Sequence, residues 1–369
     1  MMKIGLLTSW DITDPLAWSG VVYPAVEILH EKVKLVPLQV PQVKDSIIDR
    51  FLARLMGKWG YIYLPRDSFA TVCRQVYSVR KLLRRHNVDV VISLAASKES
   101  LGIPSHIPVV QVTDSSFAAM IDGYFSGKKI SALTQFQGYI LDKLVAKKSA
   151  YYCVASKWSA EQLIRDTGVL ASNITVTPFG PGVQPVTRPS AIQRKPGINL
   201  LFIGSHWKRK GGGRALESFT LARAYRSDIT LTVIGAPEET PIEGVTYLPR
   251  QSKENLSALY MSHDALLEPT EASAGGVVVT DALNHGLPVI STRVGGIPTL
   301  VREGKTGWLV SAENSVEEIA NLLKSLTHED LQQASQAARE DARERLTWES
   351  WGKAVVEICE QVVKNSRKL

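Results

Sequence analysis

The segment Phe202–Gly213, FIGSHWKRKGGG, holds residues well suited to chemistry. An apolar run ending at Ile203 gives way to a glycine, then to the consecutive bases Lys208, Arg209 and Lys210, then to three consecutive glycines. Cations on a strand-end loop beside a helix N-terminus suit a diphosphate. An arginine grips two oxygens through its planar fork, a lysine adds a mobile point charge, and the helix end adds backbone N–H groups. The same groups would stabilise charge building on a phosphate leaving group. The plainer reading is a solvated basic turn. A second cluster is Leu267–Pro288, LEPTEASAGGVVVTDALNHGLP. Pro269, Thr270 and Ser273 belong to a loop, and Ala274, Gly275 and Gly276 bring bare backbone to a helix start, a second place for an anion or a hydroxyl. Asp281 falls inside the apolar helix that follows and needs a partner there; paired hydroxyls such as those of a ribose would serve. His285 lies four residues further on the same face, so an Asp–His surface pair is the alternative.

The first half of the chain offers weaker signals. After Leu7, the stretch TSWDITDPLAWSGVVYPAVEIL sets Ser19 and Gly20 at a helix start, where backbone N–H groups could meet an anion, or where a loop glycine and cap would suffice. It is not the G-x-G-x-x-G dinucleotide fingerprint. In VTDSS, Asp114 follows a strand and is either a polar site residue or a helix cap. In Asp45–Trp59, Ile47, Ile48, Phe51, Leu52, Leu55, Met56 and Trp59 form one wide apolar face, with Arg50, Arg54 and Lys58 beside it at i, i+4 spacing. That pattern fits a core-facing helix, or a helix resting on an anionic membrane or a lipid-linked acceptor. The seven histidines are scattered without metal-ligand spacing, so neither a metal nor a cofactor is expected.

These residues need elements to hold them. Apolar runs at Met2–Leu7, Lys34–Leu38, Val88–Leu94, Val109–Val112 and Tyr151–Ala155 alternate with helical segments near Tyr23–Glu31, Phe69–Arg85 and Ser156–Arg165. After a proline- and glycine-rich stretch, Pro178–Gly197, read as a linker, the rhythm restarts. Strands are expected at Ile198–Ile203, Thr230–Ile234, Val245–Tyr247, Ala265–Leu267, Val289–Ser291 and Trp308–Val310. Helices are expected near Gly213–Tyr225 and Gly276–Asn284, with a helical tail from Ser315. Buried strands separated by helices predict α/β architecture with parallel sheets covered on both faces. A length of 369 residues with 44 % apolar content supports two such domains. Cys73, Cys153 and Cys359 are too far apart in sequence for a clustered metal site or a disulfide framework, which fits a reducing compartment. No secretory leader and no apolar stretch of membrane-spanning length is read, so a soluble or peripheral protein is expected.

At this point the motifs resemble those of the retaining, nucleotide-sugar-dependent glycosyltransferases of family 4 (glycosyl transferases group 1), which have two Rossmann-like domains facing a central cleft, the GT-B fold. The resemblance rests on FIG…RKGG, VIG at Val233–Gly235, EPT…GG…DAL…GLPVI and VGGIPTLVREGKTGWLV, and is strongest from Phe202 to Val310. It implies an acceptor-side domain over 1–185, a donor domain over 186–347, and a C-terminal helix over 348–369 that returns to the first domain. Arg209 and Lys210 match the family's basic pair on the donor diphosphate, and Gly20 matches the glycine of its N-terminal phosphate and acceptor loop. Ala274–Gly276 match the backbone over sugar and phosphates. Asp281 matches the acidic residue on the ribose, and Arg250 and Lys253 the region lining the base. Thr113 and Asp114 fall near a first-domain histidine that contacts the sugar. Ser273 stands where the family has its first glutamate, with Glu271 two residues earlier, and Ser205 stands where many members have an arginine.

The resemblance implies transfer of a sugar from a nucleotide diphosphate sugar, UDP favoured, to a hydroxyl of a glycan, lipid-linked or small-molecule acceptor, with retention and without a metal. A non-catalytic nucleotide-sugar or membrane-surface binding protein of the same fold is the alternative. The net charge of +7 sits in the first half: residues 1–190 hold 22 basic and 14 acidic residues, against 21 and 22 in the remainder. No nucleic-acid reader motif accompanies it, so an anionic acceptor or membrane is favoured over nucleic acid. The expected location is cytoplasmic, peripheral on the inner face of the cytoplasmic membrane.

Overall fold

The computed structural model describes residues 2–41, 43–186, 196–204, 206–237 and 241–367. The chain divides into two compact units, residues 1–177 with 351–369, and residues 178–350. Much of the stretch read as a linker, 187–195, lies outside the described residues, as does Ser205.

The first unit runs β1 (Lys3–Thr8), α1 (Val22–Lys32), β2 (Lys34–Gln39), α2 (Ile47–Lys58), α3 (Phe69–Leu83), β3 (Val90–Leu94), β4 (Val109–Thr113), α4 (Phe117–Tyr124), α5 (Ala132–Lys148), β5 (Tyr151–Val154), α6 (Lys157–Thr167) and β6 (Ile174–Val176). Its strands form one parallel sheet in the order β2-β1-β3-β4-β5-β6. β3 and β4 are buried along their whole length, Ser93, Gln111 and Thr113 included, so they read as mostly apolar runs rather than as half-buried alternation. Serine N-caps start α2, α3, α4, α5 and α6, each accepting a backbone N–H three residues on.

The second unit carries β7 (Ile198–Ile203), α7 (Gly212–Arg223), β8 (Ile229–Ile234), β9 (Val245–Leu248), α8 (Lys253–Ser262), β10 (Ala265–Glu268), α9 (Val277–Asn284), β11 (Val289–Thr292), α10 (Ile297–Leu300), β12 (Gly307–Val310), α11 (Ser315–Ser325) and α12 (His328–Arg345). A last helix, α13, spans Trp348–Ser366. The sheet is parallel, in the order β12-β11-β10-β7-β8-β9. Successive strand residues enter two different cores, as the pleat requires. Leu201, Leu266 and Val289 pack with Val279, Ala338 and Ala342. Leu200, Phe202, Leu267 and Ile290 pack with Phe219 and Ile319. The stretch before residue 187 is packed rather than solvated: Phe179 and Val183 are buried, and Phe179 stacks on Trp348 at 6.3 Å.

In both sheets the first strand is flanked by strands reached in opposite directions, β1 by β2 and β3, β7 by β8 and β10. Loops leaving the carboxyl ends of such a pair diverge and leave a crevice between them, where open α/β sheets bind ligands.

Candidate active site

In the second unit the point where the strand order reverses lies between β7 and β10, which are neighbours in the sheet, and the loops after them meet there. Residues 206–212 form a tight turn, in which Lys210 N–H donates to His206 O at 2.9 Å and Gly212 N–H to Trp207 O at 2.9 Å. Trp207 packs edge-on against Phe202 at 5.4 Å, while His206 is exposed. Gly211 has φ +74°, and a Cβ there would stand 1.9 Å from Pro269 O, so the two loops touch backbone to backbone where no other residue fits.

Both cations of the basic pair are tied to the opposite loop. Arg209 Nη1 donates to Ala272 O at 2.8 Å, and its own carbonyl accepts from Glu271 N at 2.7 Å and Thr270 Oγ1 at 3.0 Å. Lys210 Nζ forms a buried ion pair with Glu268 Oε1 at the end of β10. The solvated-turn reading therefore fails for Arg209 and Lys210. Glu268 was not among the expected site residues; a carboxylate closing the otherwise apolar strand ALLE is the signal that marks it.

Ser273 is buried, and its carbonyl accepts Gly296 N–H at 2.8 Å. Ala274 and Gly275 are buried too, and Gly276, at φ +60°, is the residue from which α9 starts. Asp281 is buried one turn into that helix, with Oδ1 accepting Val183 N–H at 3.0 Å. Burial pushes its carboxyl up to about 7, against the backbone N–H groups of Val183 and Gly182 and the Lys253 ammonium, which pull it down. Lys253 Nζ donates to Gly182 O at 2.7 Å, so Lys253 and Asp281 grip one loop from two sides. Tyr260, another residue the sequence did not single out, carries a hydroxyl pushed well above its usual range by burial and by Asp281 and Glu268.

The Asp–His surface pair does not form. His285 is buried, and its Nδ1 bonds the backbone carbonyl of Asp281 at 2.7 Å while Nε2 bonds Ser257 Oγ at 2.8 Å. Arg250 stands exposed after the edge strand β9, two strands from β7.

The first unit has a cavity of about 900 Å³ at the carboxyl ends of β1, β3 and β4. Asp114 lines it, and burial pushes its carboxyl up to about 6. The helix-cap reading of Asp114 does not hold, because Ser116 caps α4. Trp10 and Trp18 form part of the wall, with Lys98, paired to Asp67, and Glu99, which accepts from Gln75 Nε2 at 3.0 Å. Sequence reasoning missed Lys98 and Glu99, which follow β3 without any motif. Trp18, Ser19 and Gly20 have consecutive φ values of 47°, 59° and 84°, and Ala95 after β3 has 49°. Non-glycine residues in that region cost about 1–3 kcal/mol each and cluster at ligand sites. Gly20 is buried just after this turn, where α1 follows without a side-chain cap.

The loops and the strand order that carries them have a counterpart among known proteins. Residues 197–329 match the family model of glycosyl transferases group 1. The likeness to the group 1 glycosyltransferases thus falls within the second unit. A D-inositol 3-phosphate glycosyltransferase of Rhodococcus opacus (strain B4) is 26 % identical over 232 residues, covering 56 % of this chain and 52 % of that protein. The matches span between about a fifth and a half of the length of the curated relatives. Among solved structures, sucrose-phosphate synthase from Thermosynechococcus elongatus superposes with a TM-score of 0.69 at 16 % identity, covering 99 % of this chain and 100 % of that one. Anabaena HepE in complex with UDP-glucose does so with a TM-score of 0.62 at 14 % identity over 100 % of both chains. The fold is that of the GT-B glycosyltransferases, with its two parallel α/β sheets. Among the described residues no helix is long and apolar enough to cross a membrane.

Proposed function

We propose that the chain is a retaining family 4 glycosyltransferase, moving a sugar from a nucleotide diphosphate sugar to a hydroxyl of a glycan, lipid-linked or small-molecule acceptor. The observation that carries this reading is the joining of Arg209 and Lys210 to the 268–276 segment at the carboxyl ends of β7 and β10. The group 1 match over the same residues supports it. UDP is the favoured nucleotide, since a neighbour of the same fold is described with UDP-glucose bound.

Arg209 and Lys210 would hold the diphosphate, with the backbone of Ala274, Gly275 and Gly276 at the α9 start. Ser205 and Ser273 are assigned to the donor, Asp281 to the ribose, and Arg250 and Lys253 to the base. Gly20 belongs to the phosphate and acceptor loop, and Asp114 to the sugar hydroxyls. The acceptor hydroxyl attacks the anomeric carbon on the face from which the diphosphate leaves, and the leaving phosphate oxygen takes the hydroxyl proton. The cations stabilise that oxygen as the C–O bond breaks. Ser273 offers no carboxylate nucleophile for a double displacement. The domain limits read from the resemblance, 1–185, 186–347 and 348–369, and a cytoplasmic location at an anionic membrane surface belong to the same reading.

A panel of UDP-, GDP-, ADP- and dTDP-sugars with lipid and saccharide acceptors, read by mass spectrometry of the released nucleotide diphosphate, tests it. Arg209→Ala and Lys210→Ala should each lower turnover at least about tenfold, equal to about 1.4 kcal/mol of transition-state stabilisation. Wild-type rates in both would place the phosphates elsewhere. Donor binding without turnover would favour the non-catalytic binding protein.

A further inference from the structure

Helix α2 is built inside out. Its buried residue is Asp49, whose carboxylate accepts from Ser46 Oγ at 2.6 Å, Tyr63 Oη at 3.0 Å and Thr71 Oγ1 at 3.2 Å. Its large apolar side chains face outward: Ile47 is 78 % exposed, Phe51 63 % and, just past the helix, Trp59 76 %, with Ile48 and Leu55 also exposed. The core-facing reading of Asp45–Trp59 is thereby overturned: Asp49 is the buried residue of the helix, Leu52 and Met56 are half-buried, and the rest of the apolar arc is left uncovered.

The bases Arg50, Arg54 and Lys58 run along one border of that arc at i, i+4 spacing. With Lys44 they are exposed and form no ion pair among the described residues. An apolar arc edged by free cations is complementary to acyl chains beneath anionic headgroups. It is poorly suited to a symmetric contact with a second copy, which would set like charges against each other. The same helix start reaches the cavity of this unit, whose wall includes Lys44, Asp45 and Arg50.

We propose that α2 docks the protein on an anionic bilayer, with Ile47, Ile48, Phe51, Leu55 and Trp59 seated at the acyl boundary and the adjoining cavity wall at headgroup level. This deepens the membrane-surface part of the reading above by assigning it a helix and an orientation. The docking is measured without any sugar donor, so its failure and that of the transfer reading are separable.

The full chain is floated with vesicles of phosphatidylcholine alone and with vesicles containing phosphatidylglycerol. Flotation is expected with the anionic vesicles, and at least about tenfold weaker binding with phosphatidylcholine alone or for Arg54→Glu/Lys58→Glu. Phe51→Glu/Leu55→Glu should abolish it while leaving the thermal unfolding temperature unchanged, since both residues are solvent-facing. Equal flotation of that variant, or no flotation of the wild type, overturns the proposal. So does a wild-type dimer in sedimentation that the same variant turns into a monomer, since a second copy would then cover α2.

Discussion

Lys210 and Glu268 offer a measurable consequence of how the second unit is built. Glu268 is 0 % exposed, Lys210 is buried, and Glu268 Oε2 takes no hydrogen bond among the described residues, so the carboxylate depends on its ammonium partner. Lys210→Met leaves a buried carboxylate with no counter-ion, a change that costs about 3–5 kcal/mol. For a unit the size of 178–350, at about 2–4 °C per kcal/mol, the expected fall in its unfolding temperature is about 6–20 °C. Glu268→Leu should cost less, toward the lower end, because the longer lysine can turn its ammonium toward water. Lys210→Met/Glu268→Leu removes both charges and fills the space with apolar atoms, so it should recover most of the loss while leaving turnover impaired. Urea unfolding of the four proteins gives the coupling energy directly. Single variants within about 1 kcal/mol of wild type, or a double variant equal to the sum of the singles, would refute a buried, mutually dependent pair.

Asp281, raised to about 7 by burial, binds a proton more tightly folded than unfolded. Its stabilising contribution is therefore present below the unfolded value of about 4 and is lost as pH rises through about 7. Asp281→Asn should gain on wild type between pH 5 and pH 8 in urea unfolding, and parallel pH profiles would count against the assignment. Gly211→Ala, forced into φ +74° with its Cβ on Pro269 O, should lower stability by about 1–3 kcal/mol by the same measurement. Gly213→Ala, in open space at the start of α7, should be neutral or stabilising. Asp49→Ala strips partners from Ser46, Tyr63 and Thr71 and should speed hydrogen exchange across α2 while α3 stays protected; unchanged exchange in α2 would mean that other contacts hold it.

The sheets were legible because parallel strands buried on both faces leave nearly continuous apolar runs, as in Val90–Leu94 and Ile198–Ile203, each broken by one polar residue. Helix α5, Ala132–Lys148, was not expected. Its apolar residues Leu133, Phe136, Ile140, Leu141, Leu144 and Val145 occupy about half the circumference, but Gln137, Lys147 and Lys148 fall in the same arc and the buried face takes in Thr134, Gln137 and Gly138, so no clean stripe stands out. Helix α8 was missed as well. In the site, the cations and glycines of the 204–213 loop were readable from their types and order. Their partners were not, since Glu268 and Ala272 O lie about sixty residues away and meet them only because β7 and β10 are neighbours.

The sequence by itself determined the local grammar: which runs are strands, where backbone is bare enough to approach a ligand, and which stretch carries the motifs of a group 1 glycosyltransferase. Composition and periodicity act over a few residues, and these properties are decided there. Tertiary structure alone decided facing and pairing. The period of α2 is the same whether its apolar arc meets a core or water, and Asp49, bound by three hydroxyl groups, turned that arc outward. The i+4 spacing of Asp281 and His285 is the same whether they pair or part. Burial and the 182–183 backbone parted them, because each buried polar group took the partner its depth made available.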